Sequence, residues 1–98
     1  MEMLNELMKD GSLLFAEISE GITWEQLKYH IEGLEQLYIM DFLTDGVTEA
    51  WLDFYYYGQI FSIHSPMMGG YLLYAKDHNC PAFMLMELIV HFRKLEGA

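Results

Sequence analysis

Four short apolar runs, at residues 39–44, 50–56, 59–65 and 71–75, are separated by turn signals at Asp45-Gly46, Tyr57-Gly58 and residues 66–70. Runs of this length read as strands, and short glycine-bearing turns between them favour neighbours of opposite direction, an antiparallel meander. The Tyr57-Gly58 turn constrains the chain most, because a two-residue turn fixes the register of both strands it joins. Tyr56 then pairs with Gln59, Tyr55 with Ile60, Phe54 with Phe61, Asp53 with Ser62, Leu52 with Ile63 and Trp51 with His64. One face carries Leu52, Phe54, Phe61 and Ile63 and belongs under a helical layer. The other carries Trp51, Asp53, Tyr55, Tyr57, Ile60, Ser62 and His64. Large aromatics mixed with a carboxylate and hydrogen-bonding groups suit a binding surface, and they also suit a second, partly covered core face under the amino-terminal segment.

Helices flank the meander. Thr23-Trp24-Glu25-Gln26 is a capping-box pattern that starts a helix, whose stripe Trp24, Leu27, Ile31, Leu34 and Tyr38 leaves Glu25, Lys28, Glu32 and Glu35 pointing away. The last helix begins at Pro81 and runs to about Leu95, with Glu87, His91 and Lys94 as its polar side. Ahead of these, residues 1–9 read as a short helix with Met3, Leu4, Leu7 and Met8 on one side, stopped by Asp10-Gly11, and residues 13–18 read as a strand. The expected fold is α+β, an antiparallel meander sheet of about four to five strands with two main helices packed on one face. At 98 residues the chain makes a single domain, and 53% apolar content with 15% aromatics excludes a disordered acidic tail.

Charge is polarised along this fold. The first sixty residues hold twelve carboxylates and two lysines, net −10, while residues 61–98 are neutral, and no Lys or Arg stands between Tyr29 and Ala75. A one-sided negative field steers a cationic partner and repels nucleic acid and anionic lipid. The amino terminus lacks the basic region of a secretory signal, and the longest apolar stretch is interrupted by Glu87 and His91, so the chain reads as soluble and cytoplasmic. A lone cysteine, Cys80, cannot form an internal disulfide, which fits a reducing compartment.

Chemistry-bearing groups are sparse. Asp53, Ser62 and His64 come together in the hairpin register, but Ser62 would lie mid-strand with no strained elbow or oxyanion hole, so a cross-strand polar cluster is expected and not an enzyme. His78-Asn79-Cys80 has no second cysteine or spaced histidine pair, so no metal or cofactor is expected, and Cys80 or Asn79 should cap the last helix. His30 and His91 read as solvated or core-edge histidines.

The order Trp51-Leu-Asp-Phe, Gly58, Phe61-Ser-Ile, a glycine-bearing turn, Tyr71-Leu-Leu-Tyr, Cys80-Pro81 and His91-Phe92 resembles small acidic bacterial α+β proteins, among them immunity proteins of contact-dependent growth inhibition systems. The resemblance covers residues 50–92 and contains no diagnostic active-site motif. It implies a tight stoichiometric inhibitor of a basic nuclease or other toxin domain. Glu32, Glu35, Asp45, Trp51, Asp53, Tyr55, Tyr57 and His64 are the expected partner-binding residues. A nucleic-acid-mimicking phage inhibitor is the alternative, and a homodimer joined through Met and Tyr surfaces is compatible with either.

Overall fold

The computed structural model describes residues 1–19, 21–44, 49–66 and 69–96. Its elements are β1 Glu2–Leu7, β2 Leu13–Ile18, α1 Trp24–Glu32, β3 Leu37–Thr44, β4 Ala50–Tyr56, β5 Gln59–Ser65, β6 Tyr71–Ala75 and α2 Ala82–Glu96. The six strands form one sheet in the order β1-β2-β6-β5-β4-β3, antiparallel at every pairing. Strands β3 to β6 are the meander, and the β1–β2 hairpin docks on its β6 side.

The β4–β5 hairpin has the register expected from its turn, from Tyr56 opposite Gln59 to Trp51 opposite His64. Tyr57 and Gly58 both adopt positive φ, 51° and 79°, the type I′ geometry whose twist matches that of paired strands. Leu52, Phe54, Phe61 and Ile63 are buried, with the Phe54 and Phe61 rings stacked 5.4 Å apart. Each such side chain contributes about 1.5–3 kcal/mol on burial, so a one-residue slip of this hairpin would cost several of those contributions at once.

Both helices cover this face. The Thr23 hydroxyl accepts from the Gln26 amide while the Gln26 side chain accepts from the Thr23 amide, completing the capping box of α1. Leu27 and Ile31 are buried in the core, and Trp24 packs edge-on against Phe42 of β3 and Tyr71 of β6 at 5.1 and 5.0 Å. Tyr71 adds a hydrogen bond from its hydroxyl to the Ile22 carbonyl. On α2, Leu88, Ile89 and Phe92 enter the same core, and Glu87 accepts a hydrogen bond from the buried Tyr56 of β4. Burial first, then the hydrogen bond and charge of Glu87, raise the Tyr56 phenol far above its ordinary pKa, so the hydroxyl stays a donor.

Four expectations need correction. Residues 2–7 are a strand, so the sheet has six strands and not four to five. A helix of nine residues is marginal without packing, whereas the same segment pairs along β2, and Gly11, at φ 89°, lies in the β1–β2 connection. The α1 stripe stops short of Tyr38: the Gly33 amide bonds back to His30 and Ile31, and Leu37 already pairs with Tyr56, which puts Tyr38 in β3. Lys28 does not simply point away, since its ammonium lies 3.5 Å from the centre of the Phe42 ring. Cys80 does not cap α2; its buried thiol lies by the Pro81 carbonyl and the Met84 sulfur, while Asp77 accepts from the Asn79 amide through its carboxylate and from the Cys80 amide through its carbonyl. The Asp45-Gly46 turn lies outside the described residues.

Candidate functional site

Alternation along the strands gives the sheet a second face, opposite the helices. Strand β3 places Tyr38 opposite Tyr55, Asp41 opposite Asp53 and Leu43 opposite Trp51. Strand β5 adds Ile60, Ser62 and His64, and β6 adds Tyr74 opposite Ser62 and Leu72 opposite His64. Trp51 is 39% exposed, Tyr55 38%, Leu43 55% and Tyr38 64%. They form two apolar pairs across β3 and β4, Tyr38 with Tyr55 and Leu43 with Trp51, with Asp41 and Asp53 between them. The amino-terminal hairpin reaches this face at one side, where Glu6 to Asp10 and Ser12 line a depression together with Trp51 and Ser62, so the face is partly covered there, while Tyr38, Leu43 and Tyr55 stay exposed.

Trp51 and His64 stack face to face, with ring centroids 3.6 Å apart and planes 4° from parallel. That contact holds the indole flat against the sheet at little entropic cost. The His64 Nε2, itself buried, lies 3.6 Å from a Glu49 carboxylate oxygen. The Ser62 hydroxyl donates directly to Asp53 at 2.5 Å and is buried at 2% exposure. A nucleophile, base and acid in series would need the imidazole between the hydroxyl and the carboxylate. Here the imidazole lies on the indole instead, so these three residues do not assemble a triad. Asp53 has its local partner in Ser62.

The acidic groups on this face are arranged unfavourably for the isolated protein. Asp41 stands directly across from Asp53, and Glu2 directly across from Glu17. Like charges at opposed positions destabilise a sheet. At the β1 end, the strand and its turn border an open depression of about 570 Å³, lined among others by Glu6, Lys9, Trp51, Ser62, Tyr74 and Lys76. Burial, then the Glu6 and Asp10 carboxylates, raise the Tyr74 pKa, whereas hydrogen bonds from the Ser12 hydroxyl and amide lower that of Asp10.

The eight residues expected to bind a partner do not share one surface. Trp51, Asp53, Tyr55 and His64 belong to the open sheet face, and Tyr57 stands at the β4–β5 turn beside it. Glu35 lies next to that turn, where the Gln36 carbonyl accepts from the Tyr57 amide, and Glu32 is on the exposed side of α1 in the other layer. Asp45 is outside the described residues. Residues that join the face without having been expected are Tyr38, Asp41, Leu43 and Tyr74, with Glu2 and Glu17 at its rim. Tyr38 was hidden by its place on the α1 stripe. Asp41 could have been found only from the β3–β4 register, which the Asp45-Gly46 signal does not fix.

Elsewhere the His78 Nδ1 lies 3.1 Å from the Gly11 carbonyl and Cys80 is buried, with its thiol pKa raised by burial and then by Asp77. Among the described residues no three His, Cys, Asp or Glu side chains converge on a metal position, and no described helix is long and apolar enough to cross a membrane. Set against protein-family models, curated proteins and solved structures, the chain matches none.

Proposed function

We propose that this protein is an immunity-type inhibitor that binds a basic protein domain, such as a toxin or nuclease domain, through the open face of its sheet. The observation that carries this reading is the two pairs of opposed carboxylates, Asp41 across from Asp53 and Glu2 across from Glu17, on a face that also exposes Trp51, Tyr55 and Tyr38. A cationic partner would convert both repulsions into attractions, so the free protein carries a cost that binding removes. The absence of Lys and Arg between Tyr29 and Ala75 keeps β3, β4 and β5 free of charges that would oppose such a partner. Trp51, held by His64, and Tyr55 beside Tyr38 supply large contact area with little conformational freedom left to lose.

The test is kinetic. The partner is captured from the native host and its association measured at several salt concentrations. Neutralising Glu2, Glu17 and Asp41 together should slow association and flatten its salt dependence, whereas Tyr55→Ala or Trp51→Ala should mainly speed dissociation, each costing about 2 kcal/mol if central. Unchanged kinetics in the charge variant and in both aromatic variants would remove the open face from the function.

A further inference from the structure

The two helices meet at two histidines. His30 in the last turn of α1 and His91 of α2 have ring centroids 4.1 Å apart and planes 22° from parallel. Each ring reaches the other residue's main chain: His30 Nε2 lies 2.5 Å from the His91 carbonyl oxygen and His91 Nε2 lies 2.6 Å from the His30 carbonyl oxygen. A carbonyl can only accept, so both Nε2 atoms carry protons, and in the neutral pair both Nδ1 atoms are bare. The His30 carbonyl also accepts from the Gly33 amide at 3.2 Å, so the clasp and the end of α1 share an acceptor.

We infer that the His30–His91 clasp is an acid-released latch, in which neutral rings hold α1 against α2 and protonation of the stacked pair lets the helices part. A second proton would set two like charges face to face. The charged groups lining the same crevice are Glu87 and Lys94, both on α2. Glu87 is engaged by the Tyr56 hydroxyl from β4, and Lys94 adds a further positive charge. Phe92 approaches both imidazoles at 6.4 and 6.0 Å and brings no charge, while Glu32 of α1 is exposed to solvent.

The direction of the response follows from the folded protein. Burial lowers the His91 pKa most; the bond to the His30 carbonyl acts against it, and the charges of His30 and Lys94 act with it. A base with a depressed folded pKa binds fewer protons folded than unfolded between the two values. The latch therefore contributes in full above about pH 6.5 and is lost as pH falls through the lowered His91 value. The helix it releases is nine residues long, too short to persist unpacked. It lies on the layer opposite the open sheet face, so the latch and the docking reading stand or fall separately.

Imidazole ¹⁵N NMR and amide hydrogen exchange of the whole chain from pH 7.5 to 5 test this. At neutral pH both rings should be Nε2–H tautomers. On acidification α1 amides, corrected for intrinsic exchange, should open at least about tenfold faster, while β4 and β5 amides hold. Replacing both histidines, H30Q with H91Q, supplies amide donors that do not titrate and should flatten the response; H64Q and H78Q should leave it intact. An Nδ1–H tautomer at either ring, equal α1 protection across the range, or an acid response that survives the double replacement would overturn the latch. The wild-type measurements decide on their own if the double variant does not fold.

Discussion

Replacing Asp41 by Asn should make the protein more stable and a poorer binder. Directly opposed residues have Cβ atoms about 5 Å apart, which leaves the Asp41 and Asp53 carboxylates on the order of 6 Å from one another. At a water-like dielectric that repulsion is about 0.7 kcal/mol, and at physiological ionic strength, with a Debye length of ~8 Å, screening removes roughly half of it. Asparagine keeps the shape and can still accept from the Phe42 amide, which Asp41 now does at 2.8 Å. The gain expected from D41N is thus ~0.3–0.7 kcal/mol, a rise in Tm of about 1–5 °C for a domain of this size. Urea unfolding at low salt and at 0.5 M NaCl separates charge from packing, since the charge contribution should shrink as salt is raised. Glu17→Gln should behave alike at the other end of the sheet, and the two gains should add. Destabilisation by D41N, or a gain equal at both salt concentrations, would refute the account of opposed charges on which the proposed docking face rests.

Two further outcomes follow from backbone and burial. Gly58→Ala should cost about 1 kcal/mol in urea unfolding although a Cβ there would meet nothing within 4 Å, because the residue sits at φ 79° and L side chains avoid that region. The Cys80 thiol should react with a disulfide reagent on the order of a hundredfold slower in native protein than in urea-unfolded protein, since burial both shields it and suppresses its thiolate; comparable rates would place the thiol at the surface.

Much of the fold was legible locally. Tyr57-Gly58 set the register of β4 and β5, and with it the division of Leu52, Phe54, Phe61 and Ile63 from Trp51, Asp53, Tyr55 and His64. Thr23 and Gln26 marked the start of α1 by satisfying each other's amides. The first strand was not legible: Met3, Leu4, Leu7 and Met8 fit a helical spacing, and only the open side of β2 makes the extended form the better one. Part of the proposed docking face was missed for a similar reason. Tyr38, Asp41 and Leu43 reach it through pairing with β4, and the Asp45-Gly46 signal in the sequence does not fix that register.

Sequence alone determined the quantities that depend on near neighbours: turn geometry, helix caps, strand alternation and the −10 to neutral division of charge. Tertiary structure decided what depends on residues far apart in the chain. It placed Asp41 against Asp53 and Glu2 against Glu17, left the β3–β4 part of one sheet face exposed, and turned His30 and His91, 61 residues apart, from separate helix residues into a reciprocal clasp. The physical reason is that hydrogen-bonded turns and caps are complete within a few residues. A sheet face or a helix contact is defined only when distant segments have been brought together by burial of the core between them.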